Sequence, residues 1–120
     1  MPSDKPARRL QDIIENAKAI LRYTAGMDLA AFRGDRRTCD AVERCLERIS
    51  EAAVKLGDLA PILVPDQPWQ SVRALGNRLR HEYDTIREDR LWDIVQTSLG
   101  TLCSACENAL ARLEKGEMAI

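Results

Sequence analysis

Asn77-Arg78-Leu79-Arg80-His81-Glu82-Tyr83 gathers more usable chemistry than any other stretch of this chain. It holds the only histidine and one of the two tyrosines, with Arg73 one helical turn before Asn77. Histidine is the one side chain whose unperturbed pKa lets it give and take protons near neutral pH. No acid lies between Ser71 and His81, so the surroundings favour a phosphate-bearing substrate. The matching reaction is phosphodiester cleavage without a metal. An RNA 2′-hydroxyl attacks the adjacent phosphorus while His81 manages a proton. Arg73, Arg78 and Arg80 hold phosphate oxygens, and Asn77 orients the imidazole or binds an oxygen. The plainer reading is a surface histidine beside a solvated face of weak ion pairs formed by Arg78, Arg80, Glu82 and Asp84.

Four helices position these groups. Leu10, Ile13, Ile14, Ala17, Ile20 and Leu21 share one face of the first. After an interruption at 29–35, Asp35 caps a second, whose stripe is Val42, Cys45, Leu46, Ile49, Ala53 and Leu56 and which ends near Gly57. Pro61, Pro65 and Pro68 make 58–67 a connector, with Pro68 at the first position of the third helix. Trp69, Val72, Leu75 and Leu79 form that helix's apolar edge; Tyr83 continues it if the helix persists, but the polar stretch from Asp84 suggests that the helix ends there, which would leave the Tyr83 hydroxyl exposed beside His81. On a wheel of about 100° per residue, Arg73, Asn77, Arg80 and His81 gather on the neighbouring arc. The site sits near a helix C-terminus, whose dipole disfavours an anion, so the arginines must overcome it. Residues 84–89 read as a turn, with Asp89 capping a fourth helix marked by Leu91, Val95, Leu99, Leu102, Cys106, Ala109, Leu110 and Leu113. The expected fold is all-α, an antiparallel four-helix bundle in one domain spanning 1–120, with loose tails at 1–6 and 116–120.

At 120 residues the chain can bury one core. Its 45% hydrophobic and 31% charged residues are an ordinary globular balance, and the net charge of −1 means that any nucleic-acid binding must come from a local patch. No run of roughly eighteen apolar residues could span a membrane. The N-terminus lacks an apolar signal core, so a cytoplasmic location is expected. The four cysteines then default to reduced thiols. Cys103 and Cys106 form a Cys-x-x-Cys pair inside a helical pattern, and Cys39 and Cys45 are a poor second half for zinc; buried apolar packing is the better reading. Neither metal nor cofactor is expected.

Leu75-Gly76-Asn77-Arg78-Leu79-Arg80-His81-Glu82-Tyr83-Asp84, after a tryptophan-led helix start, resembles the signature region of HepT-like proteins in the HEPN superfamily. The family pattern is an arginine, four to six residues of any type, then His-x-Tyr. Chain length, helix count and the Ile49-Ser-Glu51-Ala-Ala53 patch resemble that family too. The resemblance implies a helical, dimeric toxin acting as a metal-independent ribonuclease. It also implies a nucleotidyltransferase antitoxin, which in some members attaches nucleotides to the motif tyrosine. His81 matches the catalytic histidine, Tyr83 the modified tyrosine, and Asn77 the asparagine four residues before the histidine. The arginine that commonly precedes that asparagine is replaced by Gly76, leaving Arg73, Arg78 or Arg80 to substitute.

Glu51 has two readings. It is an acid near the third helix, pairing with Arg73 or His81 and helping to hold substrate, or it is an exposed helix glutamate. RNA binding is expected to be strongly salt-dependent and carried by Arg73, Arg78, Arg80, Arg87 and Arg90, with no DNA specificity. A homodimer would double the arginines at a shared cleft. Competing with the enzyme are a HEPN module that docks a nucleotidyltransferase without cleaving RNA, favoured by Gly76, and a purely structural helical adaptor.

Overall fold

The computed structural model of the chain describes residues 5–117, and these build an all-α bundle. The helices are α1 (Pro6–Thr24), α2 (Leu29–Arg33), α3 (Arg36–Leu56), α4 (Leu59–Leu63), α5 (Trp69–Arg80), α6 (Asp84–Thr97) and α7 (Leu99–Glu114). The long α3 is central, packed by α1 on one side and α5 on the other, and α7 lies along α1. Apolar periodicity explains this layering. Leu10, Ile13, Ile14, Ala17 and Ile20 of α1 are buried against Val42, Leu46, Ile49, Ala53 and Leu56 of α3, in one continuous core. Leu21 falls at the edge of its stripe and is 39% exposed.

Local chemistry sets the ends. Asp35 accepts the Thr38 backbone N–H at 3.0 Å and caps α3. Gly57 closes α3 with φ +55, a backbone state that disfavours side chains. Trp69 anchors the start of α5, its ring buried and its Nε1 donating to Val64 O at 2.8 Å. Pro68 stands just outside α5, one position before its expected place.

Five expectations need correction. The interruption at 29–35 and the connector at 58–67 each contain a short helix; Asp28 caps α2 through Ala31 N, and Pro61 fits the first turn of α4, where its missing N–H has no intrahelical duty. The stretch 84–89 is not a turn but the start of α6. Asp89 caps nothing: it lies in the second turn of α6 and accepts from Arg33 Nε at 2.8 Å. The expected fourth helix is two helices meeting at Ser98, whose φ of −121 leaves the helical range. Beside it the Thr97 hydroxyl donates back to Asp93 O at 2.7 Å, a bond that bends helices. The buried stripe Leu91, Val95, Leu99, Leu102, Cys106, Ala109 runs through the break, which is why it reads as one element.

The expected loose tails fall largely outside the described residues. Of the part described, Pro6 opens α1, while Gly116 and Glu117 donate their backbone N–H groups to Leu113 O and Arg112 O and close α7.

Candidate functional site at the α5–α6 corner

Helix α5 ends at Arg80 and α6 starts at Asp84, so His81, Glu82 and Tyr83 are the whole connection between them. The connection is tied at both ends. His81 N donates to Arg78 O and Glu82 N to Leu79 O, while Tyr83 O accepts the first bond of α6 from Arg87 N at 2.7 Å. Residue 83 takes an extended backbone (φ −65, ψ 153), which turns its side chain off the helical path. The apolar edge therefore stops at Leu79, and Tyr83 is 82% exposed, the end position beside His81 that the polar stretch from Asp84 suggests. His81 is exposed at the C-terminal cap of α5 rather than on its face. The corner also changes the electrostatics expected from α5 alone. α6 begins there without a side-chain cap, and a helix N-terminus favours an anion.

The four arginine and asparagine candidates separate. Asn77 is exposed on the last turn but one of α5. Arg73 is half-buried, and its Nη1 donates to Gly57 O at 3.3 Å, so its guanidinium serves the C-terminus of α3 and is not brought to His81. Ser50 Oγ donates to Arg73 O at 2.8 Å, and Gly76 lies by Glu47, so α5 runs antiparallel to α3. Arg78 is exposed and folds back along α5 to Ser71 O. Arg80 Nε donates to Gly76 O at 3.3 Å, which lays its guanidinium over the glycine; Nη2 stands 3.8 Å from where a Cβ at 76 would sit. Arg78 and Arg80 make no ion pair among the described residues, so both are available to an anionic ligand.

Glu51 makes no ion pair with α5 or His81 among the described residues. One helical step past Ser50, its side chain turns out to solvent and pairs with Lys55 at 3.3 Å, the bland one of its two readings. The acids that do face α5 and α6 are others. Glu47 packs its Cγ beside Gly76. Glu43 meets Arg87 at 3.6 Å, and Arg87 also holds Asp84, so Arg87 is engaged in joining α6 to α3. Burial pushes the Glu43 carboxyl above the usual glutamate range, against the opposing pull of Arg87. Arg90 pairs with Glu82 Oε1 at 3.5 Å, while Glu82 Oε2 is buried with no hydrogen-bond partner. Sequence reasoning missed Glu43 and Glu47 because both act across elements; only their spacing on one face of α3 hints at a shared role.

A groove of about 410 Å³ opens between α5 and α6–α7, floored by Leu46, Ile49, Leu75 and Leu102 and rimmed by Arg78 and Arg90. His81 and Tyr83 do not line it, so the candidate chemistry sits at the corner and not in this groove. All four cysteines are buried, and burial pushes the thiols of Cys39 and Cys106 up to about 11 and about 12. No group of three or more His, Cys, Asp or Glu among the described residues is arranged to hold a metal ion. None of their helices is long and apolar enough to cross a membrane.

The family described as ribonuclease HepT-like matches residues 13–109. A Methanocaldococcus jannaschii protein named "Putative RNase MJ0127" is 37% identical over 95 residues, 79% of this chain and 78% of that one. "Putative RNase MJ1380" of the same organism is 33% identical over 87 residues, 72% and 80% of the two chains. "Probable ribonuclease HepT" of Thermococcus cleftensis is 30% identical over 93 residues, 78% and 84%. No solved structure matches.

Proposed function

This chain belongs to the HepT-like ribonuclease family, and from that premise we propose that it cleaves RNA at the α5–α6 corner. The observation that carries this reading is the corner itself: the only histidine of the chain, exposed, with two arginines on the preceding turn that make no ion pair among the described residues. In the proposed step the 2′-oxygen bonds to phosphorus and the P–O5′ bond breaks, leaving a 2′,3′-cyclic phosphate and a 5′-hydroxyl. One proton leaves the 2′-oxygen and one reaches the 5′-oxygen. His81 handles one of these transfers. Arg80, lying over Gly76, takes the place of the arginine that the family pattern puts there, with Arg78 as a second phosphate contact. Asn77 holds the imidazole or a sugar oxygen.

One histidine cannot remove one proton and deliver another in a single concerted step. A homodimer with two His81 side chains at a shared cleft supplies both. The toxin role follows the same premise. A nucleotidyltransferase antitoxin would transfer a nucleotide to Tyr83 Oη, which is exposed on an 82% accessible ring. The added phosphate would compete with RNA for Arg78 and Arg80. Gly76 favours one other reading, a docking module that engages the nucleotidyltransferase without cleaving.

The test is cleavage of single-stranded RNA in the presence of a chelator. Wild type should cleave, and His81→Ala should lose about a hundred-fold or more while keeping its helical circular dichroism. Equal activity in the two proteins would remove His81 from the chemistry, and no cleavage by wild type would leave the docking module. In the same preparation, a cognate nucleotidyltransferase with nucleoside triphosphate should add one nucleotide to wild type and none to Tyr83→Phe by intact mass.

A further inference from the structure

The chain has five aromatic side chains, and four have a place in the fold or on another helix. Phe32 and Trp69 are buried, Trp92 packs on Phe32 with ring centroids 5.2 Å apart, and Tyr23 lies on α1. Tyr83 alone stands almost free, 82% exposed, with Ile86 one turn on at 51%. Its extended backbone is fixed by the Arg87 N bond to its carbonyl, so the ring is presented from a tied corner rather than a slack loop. A single exposed ring is small against the roughly 800 Å² per partner of a stable protein interface, but it matches the face of one nucleobase.

We infer that Tyr83 is a stacking platform for one unpaired base of the RNA substrate. This rests on the ribonuclease reading and adds to it the substrate class, single-stranded RNA with a base turned out onto the ring. The charges around the ring support a nucleotide over a protein. Arg80 and Arg78 lie on the adjoining turn without ion pairs among the described residues, and His81 is two residues away. A base stacked on Tyr83 places its own phosphates within the reach of those cations. Stacking tolerates any base, so the platform would grip without reading sequence. Nucleotide addition at the same hydroxyl would cover the platform as well as the arginines.

The experiment measures anisotropy of a labelled single-stranded RNA oligonucleotide on the non-cleaving His81→Ala protein, and KM and kcat for cleavage on the active one. Tyr83→Phe should bind within about two-fold of the parent, and Tyr83→Leu about ten-fold weaker, with KM rising more than kcat falls. Systematically placed abasic nucleotides should weaken parent binding at one position and weaken Tyr83→Leu no further. Tyr83→Leu binding like the parent would overturn the platform, as would a Tyr83→Leu loss that appears in dimer mass rather than in RNA affinity. If wild type binds through Tyr83 but never cleaves, the platform stands and the ribonuclease reading falls. If wild type cleaves and Tyr83→Leu is unchanged, the platform alone falls. Absence of binding by every variant refutes both.

Discussion

Arg73 and Arg80 sit two turns apart on the same helix, yet their guanidinium groups go to opposite ends of it. Arg73 reaches Gly57 O at the end of α3, where the carbonyl ends of the helix dipole attract a cation. Arg80 lies over Gly76, next to the corner. A helical wheel puts both on one strip because it fixes Cα directions, and four-carbon reaches are settled by what the tip can bond. Glu51 shows the same limit: one residue separates it from Ser50, and that step of about 100° decides between α5 and solvent. At this scale the sequence located the motif, and His81 and Tyr83 did come out on the surface, but it could not apportion the arginines. Arg80→Ala should therefore lower kcat/KM by about a hundred-fold with little change in unfolding midpoint. Arg73→Ala should cost about 1 kcal/mol of stability and leave kcat/KM within about three-fold. Urea unfolding and initial-rate assays on both proteins check this. Loss of activity in Arg73→Ala without loss of stability would put it back at the site.

The elements whose apolar stripes are long, α1 and α3, were readable almost to their caps, because 3.6-residue periodicity and Asp35 or Gly57 are local signals. α6 was not. Its first turn is polar, and what holds it is distant in sequence: Arg87 to Glu43 on α3, and Asp89 to Arg33 on α2. Local reading turned that polarity into a turn, and so left His81 near a helix C-terminus instead of at a corner between two helices. The Glu43–Arg87 contact carries a pH signature. Because burial holds the folded-state pKa of Glu43 above its unfolded value, the folded protein keeps a proton that the unfolded chain gives up. Stability contributed by that group is thus full below the ordinary glutamate value and falls as pH rises through the raised one. Glu43→Gln should flatten this fall when urea midpoints are compared from about pH 4 to 7. A slope identical to wild type would mean that Glu43 is hydrated in the folded state.

At the scale of the whole molecule, a net charge of −1 and two corner arginines without an ion pair among the described residues are a thin grip for a polyanion. Composition foresaw that any attraction must be local, and the engagement of Arg87 and Arg90 with acids makes the patch smaller than the sequence suggested. A second protomer doubles the patch, and it also answers the proton count of the proposed reaction. Neither the groove beside α5 nor the corner names the partner face, since one chain does not record its own symmetry. The arithmetic of mixing can test the idea without knowing that face. If each cleft needs His81 from both protomers, activity follows the square of the wild-type fraction. An equal mixture with His81→Ala, exchanged to equilibrium, should then keep about a quarter of the starting specific activity per total protein. Self-sufficient sites would keep about half, and a monomeric mass in sedimentation at the assay concentration would make the shared cleft untenable.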